Sequence, residues 1–423
     1  MAGNQVLRRK DMKTVGIIAE FNPFHNGHEY LIQQARQISG ADFVVAVMSG
    51  NFVQRGEPAV FNKHVRTYSA LSCGVDAVFE LPVRYSTASA EVFAAAGVGL
   101  LASLGCIDEI YFGSETGSID SLMAIAEILV NEPGQFKNEL NNKLKSGLSF
   151  PAAREYAIRA YLADPAGSSH TDLNAALDNG LLSDPNNILG IEYCKAILRL
   201  KFQKAVPRPC TVRREGSSYN SSAPDPDRYP SALSLREMLK KGHTPEELAP
   251  YVPSGSLNTP DNELNPLFPD DFSSALYMRL LDIRDSESST VPESLLNAIL
   301  DKCDLPISFT GLIEAVKTKN YTYSAISRAL ISVLLGTAPV RSAAAGTELP
   351  YARLLGIRKA SSALIKNINE VSGSEIINKL ADAGSKSPLL EEDIRASKIY
   401  NQVFFQKYGI RLPDEYRRSI IIL

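Results

Sequence analysis

Histidine is scarce in this 423-residue chain, and two of its five histidines, His25 and His28, stand three apart in Phe24-His25-Asn26-Gly27-His28. Two imidazoles at that spacing can point the same way from the start of a helix. There they can donate to, or neutralise, a phosphate oxygen. Gly27 between them lets a ligand come close to the backbone. The chemistry this pattern suits is a phosphoryl centre, with donors gathered where negative charge develops. The competing reading, two surface histidines at an ordinary helix cap, needs only four positions to agree. Placement is what separates the two readings.

The residues before the pair read as a strand. Val15, Ile17 and Ile18, interrupted only by Gly16 and ending at Glu20, form the short apolar run of a buried parallel strand. Phe21, Asn22, Pro23 and Phe24 break it. From Gly27 the spacing is helical, with Tyr30, Leu31, Ala35 and Ile38 at threes and fours. The histidines therefore fall at a strand-to-helix junction, where the first helical amides lack partners and carry partial positive charge, a phosphate seat. No Walker lysine pattern and no GxGxxG follows a strand in this chain. Nucleotide binding is the favoured reading, by a different phosphate solution.

Further strands are expected at Phe43 to Met48, Ala77 to Leu81, Glu109 to Phe112 and Cys210 to Arg214, separated by helical stretches such as Asn62 to Leu71 and Thr87 to Leu104. Strand and helix alternate, which predicts an α/β fold with a Rossmann-like parallel sheet and right-handed connections. The loops Ser49 to Pro58 and Gly113 to Gly117 then lie at the carboxyl edge of the sheet, where such folds bind ligands. Asn186 or Asn187 caps a helix from Pro185 to about Phe202, and Ser234 and Arg236 stand near the amino end of a helix over Ser231 to Leu239, where an anion site fits. Pro250 to Asn265 reads as a boundary. The expected division is a catalytic domain over 12–250 and an all-helical domain over 265–423.

The length suits two or more domains. With 22% charged residues and a net charge of −3, any nucleic-acid surface has to be a local patch. Cys73, Cys106, Cys194, Cys210 and Cys303 are scattered without CxxC, which predicts reduced thiols, a cytoplasmic protein and no protein-held metal. No apolar run approaches the length of a membrane span, so no membrane is expected as a partner, and DNA is not expected as one either. Between Lys317 and Lys366 there are eight basic residues against one acid, Glu348. Lys317, Lys319, Arg328, Arg353, Arg358 and Lys359, with Tyr321, Tyr323 and Tyr351 interleaved, suggest a surface that reads an RNA backbone.

Several motifs together are more specific than HxGH, the mark of the nucleotidylyltransferase superfamily. Val15 to His28 (VGIIAEFNPFHNGH), Ser49 to Lys63 (SGNFVQRGEPAVFNK), Glu80-Leu81-Pro82, Phe112 to Glu115 (FGSE) and Pro185 to Tyr193 (PNNILGIEY) resemble the bacterial tRNA(Met) cytidine acetate ligase family. The C-terminal KNYTYSAISRALISVLLG and LPYARLLGIRK are similar to that family's helical region, so the resemblance covers nearly everything from Lys13. It implies ligation of acetate to the N4 amine of the wobble cytidine of elongator tRNA(Met). By that resemblance acetate would attack the α-phosphate of ATP, giving acetyl-adenylate and pyrophosphate, and the cytidine amine would then take the acetyl group and release AMP. It also implies an ATP site over Ile18, Ala19, Glu20, Phe21, Asn22, Pro23, Phe24, His25, Asn26, Gly27, His28, Glu29, Tyr30 and Leu31, with Gly113, Asn187 and Arg213 or Arg214.

Two anions, acetate and triphosphate, must meet in that reaction, so the site needs cations and donors more than a covalent nucleophile. His25, His28 and Lys63 are the expected catalytic residues, with Mg²⁺ shielding the departing pyrophosphate. The chain departs from the family's pattern at Tyr219-Asn220, where a tyrosine-histidine pair is common, and at Leu233 ahead of Ser234. Another HxGH acyl-adenylate or nucleotidyl transferase, acting on a small molecule or carrier protein, is the nearest alternative. The basic C-terminal third argues against it.

Overall fold

The structure is a computed structural model that describes residues 12–163, 171–200, 206–215, 229–259, 263–284, 291–303, 307–319, 321–338, 340, 342, 349–383 and 387–423. Its strands are β1 (Thr14–Ala19), β2 (Phe43–Ser49), β3 (Phe52–Val53), β4 (Glu57–Pro58), β5 (Ala77–Leu81), β6 (Glu109–Ser114), β7 (Arg208–Arg213), β8 (Tyr351–Ile357), β9 (Glu375–Ile377) and β10 (Ile421–Ile422). The first helices are α1 (Asn26–Ser39), α2 (Lys63–Ser72), α3 (Val83–Ser86), α4 (Ala90–Ser103) and α5 (Ile119–Asn131). Then come α6 (Gly134–Lys145), α7 (Phe150–Leu162), α8 (Thr171–Asp178), α9 (Pro185–Arg199) and α10 (Ala232–Lys240). The last six are α11 (Ser273–Arg284), α12 (Glu293–Leu300), α13 (Phe309–Val316), α14 (Tyr323–Leu335), α15 (Ser362–Val371) and α16 (Pro388–Tyr408).

The main sheet runs β10-β8-β5-β2-β1-β6-β7, with β9 also paired to β8. From β5 to β7 all neighbours are parallel. The chain leaves β1 towards β2 and β5, then crosses back to β6 and β7. The carboxyl ends of β1 and β6 thus flank the point where the winding reverses, and a crevice opens there. Along β1, Val15 and Ile17 pack with α1 and α2, whereas Ile18 faces α4. Glycines bring α4 against that face. A Cβ on Gly16 would lie 2.7 Å from Leu101, and one on Gly97 2.9 Å from Ile18. This close approach carries Phe93, on the first turn of α4, to the crevice.

The stretch after residue 265 departs from the all-helical expectation. Tyr351–Ile357 is strand β8, antiparallel to β5, and β9 and β10 pair with it in turn. A short buried apolar run cannot be told from a helix by periodicity, and Arg353 disguised this one as part of a basic surface. Helices α11 to α14 and α16 do form a helical lobe around Phe272, Phe309, Leu330, Tyr400 and Phe404. The lobe is packed onto the first part of the chain. Phe52 meets Phe272 and Tyr400 at 5.6 and 6.1 Å between ring centroids, and the Tyr400 hydroxyl donates to the Ala59 carbonyl at 2.9 Å. Gly56, at φ 80°, lies against the backbone of Ser327 and Arg328, where any Cβ would collide. The division expected near residues 250–265 therefore does not divide the sheet. No helix among the described residues is long and apolar enough to cross a membrane.

Candidate active site

At the β1–α1 junction the chain turns sharply. Phe21 adopts a left-handed φ of 49°, and the Asn22–Pro23 peptide is cis. A bulky residue in that region costs about 1–3 kcal/mol, which packing has to offset. The Phe21 ring lies 4.9 Å from Phe24 and edge-on to His28 at 5.0 Å. The turn aims His25 and His28 back over the end of the sheet.

The two histidines cap α1 and each other. The Gly27 N–H donates to His25 Nδ1 at 3.1 Å, and the His25 N–H donates to His28 Nδ1 at 3.2 Å. Their rings stack at 3.7 Å between centroids. Because each Nδ1 accepts, each ring carries its proton on Nε2, so both can donate from Nε2 to a ligand. Burial lowers the pKa of His28 to about 3, helped by the Arg214 charge. Burial likewise holds His25 well below its usual range, with His28, Arg214 and Arg236 adding to the effect. Both are neutral donors at physiological pH. This corrects the expectation of free helix amides, since the Asn26 N–H donates to the Tyr251 carbonyl at 3.1 Å and that of Gly27 is taken by His25. The donors offered to a phosphate are imidazole N–H groups.

A cleft of two joined lobes surrounds the pair. The first is lined by Ile18, Ala19, Glu20, Phe21 and Asn22 from the end of β1, by Gln54 and Arg55 from the loop after β2, and by Phe93, Phe112, Asn186, Tyr193, Leu233 and Arg236. The second is lined by Gly27, Tyr30, Arg213, Glu215 and Tyr229, and the lobes share His25, His28, Leu31, Gly113 and Arg214. Three guanidinium groups, Arg55, Arg214 and Arg236, make the first lobe cationic. Arg236 also donates to the Asn22 carbonyl at 2.8 Å, tying α10 to the turn. Beneath the lobe Arg66 is buried. Its guanidinium donates to the carbonyls of Phe61, Glu20, Ser49 and Gly50, fixing the ends of β1 and β2.

Several expected residues lie elsewhere. Lys63 is fully buried, bound to Glu80 at 2.8 Å, to Glu415 at 3.2 Å and to the Ser397 hydroxyl at 3.1 Å. It lines neither lobe, so it cannot meet the α-phosphate. Arg353 belongs to the same buried quartet, paired with Glu80 at 3.0 Å and with Glu415. It presents no surface to RNA. A local sequence window cannot show that Glu80 and Glu415, from distant segments, neutralise it. Asn187 is also buried: its side chain accepts from the Thr116 N–H at 3.0 Å, buttressing the loop after β6, and its neighbour Asn186 reaches the cleft. Pro23 and Phe24 are buried, and with Asn26 and Glu29 they line neither lobe. Gly113 lies where expected; a Cβ there would press on Arg214 at 3.2 Å.

The remaining basic residues do not form one patch. Lys317 and Lys319 are exposed at the end of α13, and Arg328 is half-buried on α14 beside Gly56. Arg358 and Lys359 follow β8, whose end pairs with the start of β5. They sit at the edge of the sheet opposite the cleft. Arg55, Gln54, Phe93 and Tyr193 were not singled out individually from sequence; Gln54 and Arg55 lay within the loop after β2 and Tyr193 at the end of the Pro185 motif, while Phe93 on α4 gave no signal. Ser234 lies buried in the first turn of α10, its N–H donating to the hydroxyl of the capping Ser231 at 3.0 Å and its own hydroxyl to the Ser231 carbonyl at 2.8 Å, so Arg236 alone faces the cleft from that pair. The Tyr219-Asn220 departure lies outside the described residues, and Leu233 lines the first lobe. Among the described residues no three His, Cys, Asp or Glu side chains come together as a metal site.

The HIGH Nucleotidyl Transferase family matches the chain over residues 12–412. The tRNA(Met) cytidine acetate ligase of Clostridium acetobutylicum is 36% identical over 421 residues, spanning 97% of this chain and all of that one. That of Caldicellulosiruptor saccharolyticus is 37% identical over 420 residues, spanning 95% of this chain and all of the relative. Among solved structures, Thermotoga maritima TmcAL bound with alpha-thio ATP superposes with a TM-score of 0.84 at 28% identity, covering 97% of this chain and all of the other. Its apo form gives 0.86 at 27%, with the same coverage. A match this long, carrying the mutually capped histidine pair at the reversal point of the sheet, places the chain in the HIGH nucleotidyl transferase family and, within it, among the tRNA(Met) cytidine acetate ligases.

Proposed function

We propose that this protein joins acetate to the N4 amine of the wobble cytidine of elongator tRNA(Met) at the expense of ATP, through an acetyl-adenylate, in the cytoplasm. The observation that carries the reading is the pair of neutral Nε2–H donors inside a cleft walled by Arg55, Arg214 and Arg236. Acetate and triphosphate repel each other, and this arrangement lowers that repulsion without a covalent nucleophile. An acetate oxygen attacks the α-phosphorus, the bond to the β-phosphate oxygen breaks, and pyrophosphate leaves. His25 and His28 donate to the α-phosphate oxygens, where charge is redistributed, and the guanidinium groups hold the outer phosphates. ATP enters as its Mg²⁺ complex, with the ion carried on the phosphates.

For tRNA, Lys317, Lys319 and Arg328 are the proposed backbone contacts, because the helical lobe abuts the loop after β2 that lines the cleft. Arg358 and Lys359, at the far edge of the sheet, are left out of that surface. The test is incubation with labelled acetate, ATP and bulk tRNA, followed by nucleoside analysis. Label appearing in N4-acetylcytidine, with AMP and pyrophosphate formed in step, is the expected result. Label in another nucleoside, or only in a small molecule, would reject the reading.

A further inference from the structure

Among the described residues the first lobe holds one acidic side chain among its cations, and the reaction offers it no cationic substrate group. Glu20, at the carboxyl end of β1, shares that lobe with His25, His28, Arg55, Arg214 and Arg236. A carboxylate in a site that must collect triphosphate and acetate opposes their binding, so its presence calls for a partner that donates a proton. Its placement is tightly built. The Gln54 N–H donates to Oε1 at 2.7 Å, and the Glu20 carbonyl accepts from Arg66 at 2.6 Å. No hydrogen bond to Oε2 occurs among the described residues, which leaves that oxygen for a substrate. Arg236, in the same lobe, acts electrostatically on both Glu20 and His25.

We propose that Glu20 is the general base that takes the proton from the amine as it attacks the acetyl-adenylate. The role rests on the acetyl-transfer function proposed above. The amine lone pair forms the new C–N bond to the acetyl carbon, and the bond from that carbon to the AMP oxygen breaks, its electron pair leaving with AMP. One N–H proton passes to Glu20, and the electrons of that N–H bond stay on the amide nitrogen. The proton then goes to solvent, so the step needs no further reactant. Burial raises the pKa of Glu20 against the pull of Gln54 and three arginines, which strengthens it as a base near neutral pH.

Glu20→Gln keeps the shape and an oxygen for the Gln54 N–H while removing the base. Two reactions are measured on the folded variant, checked by its unfolding midpoint. Trapping with hydroxylamine reports acetyl-adenylate as acetohydroxamate, and transfer to tRNA reports the second half. A positioned base contributes about 10²–10⁴-fold, so transfer should fall at least about a hundredfold while hydroxamate formation falls by less than about tenfold. Transfer by the wild type should rise with pH through the titration of the base, and that rise should be absent in the variant. Equal losses in both reactions, with a raised KM for ATP, would overturn the proposal and make Glu20 a nucleotide contact. Transfer at the wild-type rate would also overturn it. A wild-type enzyme that makes acetohydroxamate yet modifies no tRNA would overturn the proposed function, and this role with it.

Discussion

His28 does two jobs with two nitrogens, and they can be separated by substitution. Its Nδ1 accepts the His25 N–H at 3.2 Å, and its Nε2–H is the donor assigned to the α-phosphate. Asparagine places an oxygen near the Nδ1 position and nothing at Nε2. Glutamine reaches the Nε2 position with an N–H and abandons the cap. Losing a donor to developing charge costs about 3 kcal/mol, or roughly a hundredfold in rate, whereas losing a helix cap costs about 1 kcal/mol of stability. His28→Asn should therefore unfold within about 0.5 kcal/mol of the wild type yet slow acetate-dependent ATP–pyrophosphate exchange about a hundredfold. His28→Gln should show the reverse ranking, about 1 kcal/mol less stable but the more active of the two. With a pKa near 3, His28 gives exchange no acid limb between pH 5 and 8. Urea unfolding and exchange on the same preparations decide it. Exchange by His28→Asn within about threefold of wild type would refute the donor role.

His64 is buried with its Nε2 3.7 Å from the Glu415 carboxylate, beyond hydrogen-bond reach, and its pKa is lowered to about 3, chiefly by burial, against the pull of Glu415. Between that value and about 6.5 the unfolded chain binds more protons, so stability is complete above about pH 6.5 and falls below it by about 1.4 kcal/mol per unit. The stability difference between wild type and His64→Gln should shift by about that much between pH 7.5 and 5.5, and a constant difference would show an ordinary histidine. Arg353→Ala leaves Glu80 and Glu415 short of a buried partner and should cost about 3–5 kcal/mol in urea unfolding, with tRNA affinity of the folded variant unchanged. A cost below about 1 kcal/mol would mean the quartet is solvated. Reversing Lys317 and Lys319 to glutamate should weaken tRNA binding and reduce the slope of log affinity against log salt by about 0.7–0.9 per lost contact. The same reversal at Arg358 and Lys359 should do less, and the opposite ranking would move the tRNA surface to the other edge of the sheet.

Much of the nucleotide half was legible because its signals are local. The strand before His25, the runs Phe43 to Met48 and Ala77 to Leu81, and the helix over Asn62 to Leu71 all lie where periodicity placed them. What failed to show was whatever depends on partners far away in sequence. Lys63 looked like a loop cation near the phosphates, yet Glu80, Arg353 and Glu415 take it into the interior. Arg353 made a strand look like a basic surface for the same reason. Asn186 rather than Asn187 reaches the cleft because a single step along a helix turns a side chain by about 100°, and Asp184 holds the cap position expected for one of them. The helix amides expected to seat phosphate were filled by the very histidines that marked the site, which no spacing rule can reveal.

The order in which these strands are made has a consequence for the nascent chain. β5 is complete at residue 81, but its antiparallel neighbour β8 begins at residue 351, about 270 residues later. At roughly 5–20 residues per second, that is some 15–50 seconds of translation. Through this interval one edge of β5 has no strand beside it, and exposed edges of that kind recruit other chains. The Lys63–Glu80 pair waits as long for Arg353 and Glu415 to complete its shell. A ribosome-bound chain that has passed residue 250 thus carries both histidines without the strand that closes the sheet beneath them. Slow passage, or early termination, through that window exposes an aggregation-prone edge rather than a smaller working enzyme.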